Sequence, residues 1–282
     1  MDLVKLHFLR SLDIAAASGL LLLDDSLYVV ADDENFVCQI GLEKNDGHKL
    51  IQLFPGKLPE EESARKALKP DLESLVYIPE LESILAVPSG SKPNRIRGAL
   101  VGQGKFLGEV GFQGLYSQLW AINPELNIEG AALWGDEVVL FSRGNGANHR
   151  NEFYRLDRAD FVVELRQGGI LRESSCLKQV SCSLGSIDAC PLGFTDVCLG
   201  FEDELWFLAA AETGDSTYLD GAFRGAVIGQ MDSSGVVQFQ ARLDCPVKPE
   251  GLAIDVANKK FFVVTDSDSR REKAQLFVGD LP

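Results

Sequence analysis

Three glutamates in this chain open the same local pattern. Glu73 begins ESLVYIPELESILAVPSGS, Glu129 begins EGAALWGDEVVLFSRGN and Glu250 begins EGLAIDVANKKFFVVTDSDS. Two hydroxyl residues open further copies, Ser18 in SGLLLLDDSLYVVADDEN and Thr195 in TDVCLGFEDELWFLAAAE. Each copy runs from an oxygen-bearing side chain through Gly, Ser or Asp into an apolar run. A short polar turn, a second apolar run and a polar loop follow. Brought face to face, three carboxylates and two hydroxyls repel unless they are protonated, separated by water or neutralised by a cation. An all-oxygen donor set suits a hard cation. Calcium, with six to eight oxygens in flexible geometry, fits better than magnesium with its tighter octahedron. Zinc would call for His or Cys. The blander reading is that each side chain caps nearby backbone or holds channel water.

The five lead residues are 55, 56, 66 and 55 positions apart. Self-similarity at such a spacing is the signature of a repeat architecture. The first apolar run of each unit lacks two-residue alternation, as in a strand buried on both sides. The second is rich in Val, Phe, Tyr and Leu and follows a short polar turn, as in a hairpin. Two more strand candidates follow each of the first four hairpins: FVCQIGL and HKLIQLF, RIRGALVG and KFLGEVGF, EFYRLD and FVVELRQ, FRGAVIGQ and VVQFQARL. Four strands per unit is the plan of a propeller blade. The last unit is one strand short, and LVKLHFLRSL near the start is one strand spare. The expected fold is therefore all-β: a single five-bladed β-propeller over residues 1–282, blades starting near 18, 73, 129, 195 and 250, the last closed by the N-terminal strand. Two smaller β domains or a six-bladed ring are the alternatives. KLPEEESARKALKP (Lys57 to Pro70) has the composition of a short helix, and it lies with GLYSQLWAINPELN (Gly114 to Asn127) in connections between blades.

In a propeller the first strand of each blade lines the axis, so the lead residues form a ring and become the expected metal ligands: Ser18, Glu73, Glu129, Thr195 and Glu250. The order Ser, Glu, Glu, hydroxyl, Glu at these strand starts resembles the calcium-activated nucleotidases, the apyrase family of five-bladed propellers. That resemblance implies a central calcium and hydrolysis of nucleoside di- or triphosphates. Thr195 stands where the resemblance implies Ser and keeps the hydroxyl. The match is limited to the inner hairpins, and the family's secretory targeting is absent. The blade starts DLESL and NIEGA are more similar still to those of uncharacterised bacterial propeller proteins sharing D/N-x-E-[GS]-[LA], which implies a fold and not an activity.

The loops between second and third strands return to the face that carries the lead residues. They hold Arg95, Arg143, Arg150, Arg224 and Arg270, candidates for binding phosphate or carboxylate bidentately beside the cation. Lys92, Arg271 and Lys273 accompany them, as do Asp32, Asp33, Asp266 and Asp268. His149, Arg143 and Asp215 are the candidate catalytic groups. Solvated or mutually paired loop charges are the competing reading, strongest in SDSRREK. There is no GxSxG, HExxH or P-loop.

Composition narrows the class. With 45% hydrophobic and 24% charged residues the chain reads as globular. A net charge of -15 disfavours nucleic acid and anionic membrane surfaces as partners and leaves an anionic small molecule as the ligand a local basic loop could bind. No apolar run is long enough to span a bilayer. The start MDLVKLHFLRSLD lacks a signal peptide's h-region, so a cytoplasmic location is expected. The six cysteines form no CxxC pair and are expected to be reduced thiols, a disulfide within Cys176 to Cys198 being the alternative. Three functions follow as expectations: a calcium-dependent hydrolase of a phosphorylated or anionic small molecule; a non-catalytic ligand- or protein-binding propeller with a structural axial cation; and, last, a glycan-active propeller, for which the loops offer only Phe36, Tyr218 and Phe223 as platforms.

Overall fold

The computed structural model describes residues 3–42, 47–144, 148–174, 177–201, 204–213, 221–267 and 271–282. The N-terminal segment forms β1 (Leu3–Lys5) and β2 (His7–Ser11). Blade 1 is β3 (Ala17–Leu23), β4 (Ser26–Ala31), β5 (Phe36–Gly41) and β6 (His48–Gln52). Blade 2 is β7 (Leu72–Ile78), β8 (Ser83–Pro88), β9 (Arg97–Gly102) and β10 (Lys105–Gly111). Blade 3 is β11 (Ile128–Trp134), β12 (Glu137–Ser142), β13 (Asn151–Asp157) and β14 (Lys178–Cys182). In blade 4 a short β15 (Ser186–Ile187) precedes β16 (Cys190–Leu199), β17 (Leu205–Glu212), β18 (Phe223–Met231) and β19 (Val237–Asp244). Blade 5 is β20 (Lys248–Asp255), β21 (Lys260–Asp266) and β22 (Gln275–Asp280), completed by β2.

The inner strands adjoin in the cycle β3, β7, β11, β16, β20 and back to β3, so the ring closes. Closure is also visible in the core. It divides into five apolar clusters, and each draws on two neighbouring blades, including the seam between blades 5 and 1. Because both faces of an inner blade sheet pack against other sheets, an inner strand such as β11 is buried along nearly its whole length. This is the physical origin of the continuous apolar runs. The closing strand β2 pairs antiparallel with β22, as the strand arithmetic expects. The segment does more than that: β1 pairs parallel with β19, so one N-terminal stretch ties blade 4 to blade 5.

FVVELRQ corrects one expectation. It lies in a helix, α3 below, and the outer strand of blade 3 is β14. Three α-helices occupy the connections among the described residues: α1 (Glu62–Leu68), α2 (Gln113–Ile122) and α3 (Arg158–Arg166). The Asp157 side chain caps α3 by accepting from the Asp160 N–H at 2.9 Å, and Phe161, Val162 and Leu165 then fall on one buried side. No described helix is long and apolar enough to cross a membrane.

Candidate functional site

The five lead residues share a backbone device. In blade 2 the pairing of β7 with β8 passes from Leu72–Pro88 to Ser74–Val87 and skips Glu73. Glu129, Thr195 and Glu250 are skipped in the same way in blades 3, 4 and 5, and Ser18 with Gly19 in blade 1. A bulge releases one residue from the alternation of the strand and re-aims its side chain. Each lead residue is therefore the bulged residue of an inner strand. The residue after it sits where the strands converge: a Cβ on Gly251 would lie 2.5 Å from the Ser18 carbonyl oxygen, and one on Gly130 2.8 Å from Val197 Cγ2. Where that residue carries a side chain, it ties strands together. Ser74 Oγ accepts from the Ala131 N–H at 2.9 Å, and Asp196 Oδ2 accepts from the N–H groups of Leu252 at 2.9 Å and Leu20 at 3.4 Å.

The acids of the ring meet nitrogen cations of the chain itself, which the residue types of the lead positions do not show. Lys248 Nζ lies 2.9 Å from Glu250 Oε1 and 3.3 Å from Glu212 Oε1. Arg143 binds Glu212 and also places Nη1 3.5 Å from Glu129 and 3.9 Å from Glu250. On the blade 2 side, Lys69 binds Asp32 and lies 2.8 Å from Asp71 Oδ1. Arg95 lies 2.8 Å from Asp71 Oδ2 and donates to Ser91 Oγ at 2.6 Å. Lys69 is the C-cap of α1, so the connection between blades 1 and 2 delivers a cation to the axis. All four cations are nearly fully buried.

Of the other predicted residues, Arg150 is half exposed with Nη2 3.2 Å from the fully buried Glu152. Arg224 is exposed, and His149 adopts φ 47° in the loop after β12. Asp215, Arg270, Asp268, Tyr218 and Cys176 lie outside the described residues. Cys38, Cys182, Cys190, Cys198 and Cys245 are free thiols. Burial pushes Cys38 up to about 11 and Cys182 up to about 12, so neither is an activated nucleophile.

The site's electrostatics follow from crowding. Asp32, Asp71, Glu73, Glu129, Glu212 and Glu250 face Lys69, Arg95, Arg143 and Lys248, so among the described residues six carboxyl groups meet four cations, and Asp196 adds its own charge next to Glu129. Burial lifts Glu73 well above the usual carboxylate range, and Glu129, Asp71 and Asp32 lift it further. Burial pushes Glu129 up to about 8 against the pull of Arg143. It also raises Asp196 well above its ordinary value despite three backbone N–H donors. Asp71 is the exception: burial raises it, but Lys69 and Arg95 outweigh burial and hold it low. Thr195 Oγ1 and Glu250 Oε2 are buried without a hydrogen-bond partner among the described residues.

One subset suits a metal. Asp32, Asp71 and Glu73 each offer a carboxylate oxygen, and these oxygens lie within 4.8 Å of one another. Glu73 is the least buried of the three ring glutamates. Sequence reasoning missed Asp71 and Lys248 as site residues, although both carry a signal. They stand two positions before a lead glutamate, as does Asn127, which donates to Glu129 Oε1 at 2.6 Å.

These features define a five-bladed β-propeller with a buried ring of charge at one end of its axis. The chain belongs to the family of unknown function DUF6929, whose model matches residues 13–281. No curated protein matches it. Among solved structures it is similar to Myxococcus xanthus glutaminyl cyclase, with a TM-score of 0.54 and 10% identity over 100% of this chain and 99% of that one. It is also similar to the calcium-binding protein regucalcin from Agrobacterium tumefaciens, with a TM-score of 0.51 and 10% identity over 100% and 96% of the two chains. At such identities the likeness is one of fold.

Proposed function

We propose that this protein is a calcium-binding propeller whose ion sits beside the axis on Asp32, Asp71 and Glu73, with Ser18, Glu129, Thr195 and Glu250 around it. The observation that carries this reading is the carboxylate triad. Lys69 and Arg95 supply two positive charges to three carboxylates, so one negative charge remains uncompensated where a cation would sit. The donors are hard oxygens, and their number and adaptable side chains suit calcium better than magnesium. Thr195 Oγ1 and Glu250 Oε2, buried without a hydrogen-bond partner among the described residues, are further oxygens of the bulged ring positions.

The non-catalytic form of this reading is the better supported. Arg95 and Arg143, the residues placed to grip a phosphate, are engaged in buried ion pairs. Arg150 and Arg224 stay exposed on the loop face, where an anionic small molecule could meet them.

Calorimetric titration of chelator-treated protein with calcium, with melting curves alongside, tests the proposal. The expected result is one ion per chain and a melting temperature that rises with calcium. At a hundredfold excess over Kd that linkage is worth about 2.7 kcal/mol. Glu73→Gln should abolish both. No heat and no shift up to about 1 mM of either calcium or magnesium would refute the site. Calcium-dependent phosphate release from a nucleotide or sugar-phosphate panel would instead establish the hydrolase that the nucleotidase resemblance implies.

A further inference from the structure

The opposite end of the axis has different chemistry. There the five inner strands enclose a cavity of about 390 Å³, within the size range of small-molecule pockets. Most of the side chains lining it are aliphatic or aromatic, with Leu22, Tyr77, Leu133, Leu199 and Ile254 representing the five strands, and Arg158 also lines it. Its inner end is drawn shut where Asp196 binds the backbone of Leu20 and Leu252 and Ser74 binds that of Ala131. The aliphatic side chains favour an apolar body in contact with them.

The mouth carries charge. One to a few residues beyond the lining positions, the hairpin turns bear Asp24, Asp25, Glu80, Glu82 and Asp136, all exposed, and Asp255, half-buried. The cations near these turns are fewer among the described residues, and Arg166 donates to the Glu80 carbonyl at 2.7 Å. Arg158 is bound to Glu80 at 2.7 Å, Lys260 to Asp280 at 3.1 Å, and Lys259 is exposed. A negative rim above low-dielectric walls concentrates cations at the opening. An anionic amphiphile would meet repulsion at the rim, and a neutral one would gain from the wall alone.

We propose that this axial funnel binds a small lipophilic cation, a compact hydrocarbon or aromatic body carrying one amine or quaternary ammonium group. The body fills the funnel and the charge stays at the carboxylate rim. This site is independent of the ion at the other end of the axis.

Titration calorimetry at low ionic strength, with decyltrimethylammonium, decanoate and decanol each below its micelle concentration, tests it. Decyltrimethylammonium should bind at one per chain, about tenfold or more tighter than decanoate, and weaken with added salt. The exposed rim pair Glu82→Lys and Asp136→Lys should cost about tenfold for the cation without changing the melting temperature. Leu22→Trp should block the funnel for every ligand, and the rim pair keeps the proposal testable if that variant misfolds. Equal binding of cation and carboxylate, several molecules per chain indifferent to the rim, or no binding of any probe would each overturn it. So would a dimer in sedimentation that the rim pair dissociates, which would assign this face to a second copy of the chain.

Discussion

Glu129 joins the two halves of the axial chemistry. It accepts from Asn127, lies near Arg143, and adds its charge to that borne by Glu73. Burial pushes its carboxyl up to about 8, from an ordinary value of 4.5. The sign of the consequence is fixed by linkage. Between those values the folded protein holds a proton that the unfolded chain has released, so stability falls as pH rises through the window. Glu73 and Asp196, raised in the same direction, reinforce the slope. Melting temperatures in chelator should therefore decline from pH 5 toward pH 9, starting from the ordinary carboxylate range, and Glu129→Gln should flatten the decline. A melting temperature that is constant or rises across that range would show that the buried acids are ionised at no cost. The acids of the ring were legible because carboxylates recur at one register. Of their counter-cations only Lys248 stands at a recurring register, two positions before Glu250. Lys69 sits in a connector and Arg143 in a loop, and neither position repeats from blade to blade.

The bulged inner strand is the element that makes the ring. Its two residues divide the labour: the first is released toward its neighbours, and the second stands where adjoining backbones nearly touch. Gly251 fits there because any Cβ would be 2.5 Å from the Ser18 carbonyl and 2.8 Å from Leu20 Cβ. Gly251→Ala must push β20 away from β3, and overpacking of this kind costs about 1–3 kcal/mol. Gly108→Ala on outer strand β10 meets no atom within 4 Å and serves as the near-neutral control. Urea denaturation of both variants separates a steric effect at the axis from a general effect of replacing glycine; equal losses would remove the close-approach explanation. The same two-residue unit is what the sequence repeats, and for that reason five blades could be counted before any coordinates. The reading failed at FVVELRQ, where a short apolar run fits strand and helix equally well. Asp157, standing three residues before Asp160, was the cue that decides for a helix, and it lies just outside the run.

At the scale of the molecule, stability depends on how the ring is shut. Strand counting found the closing strand, because blade 5 lacks one strand and the N-terminus supplies it. It did not find the second attachment, since the three residues of β1 are too few to carry a pattern. The two attachments differ in consequence. β1 adds a short parallel ladder to the outer edge of blade 4, with Leu3 largely exposed. β2 pairs with β22 over four residue pairs and sets Phe8 against Phe277, ring centroids 5.8 Å apart. Without β2 the β22 edge of blade 5 is bare, and an unpaired edge invites pairing with another chain. Removing residues 1–5 should therefore lower the melting temperature only slightly and leave a monomer. Removing residues 1–11 should lower it steeply and produce dimers or larger species in size-exclusion chromatography. A synthetic peptide of residues 6–12 should restore the monomer by re-forming the β2–β22 ladder. If the longer deletion instead stays monomeric with an unchanged melting temperature, the ring is held by its inter-blade seams alone and the N-terminal strand only decorates it.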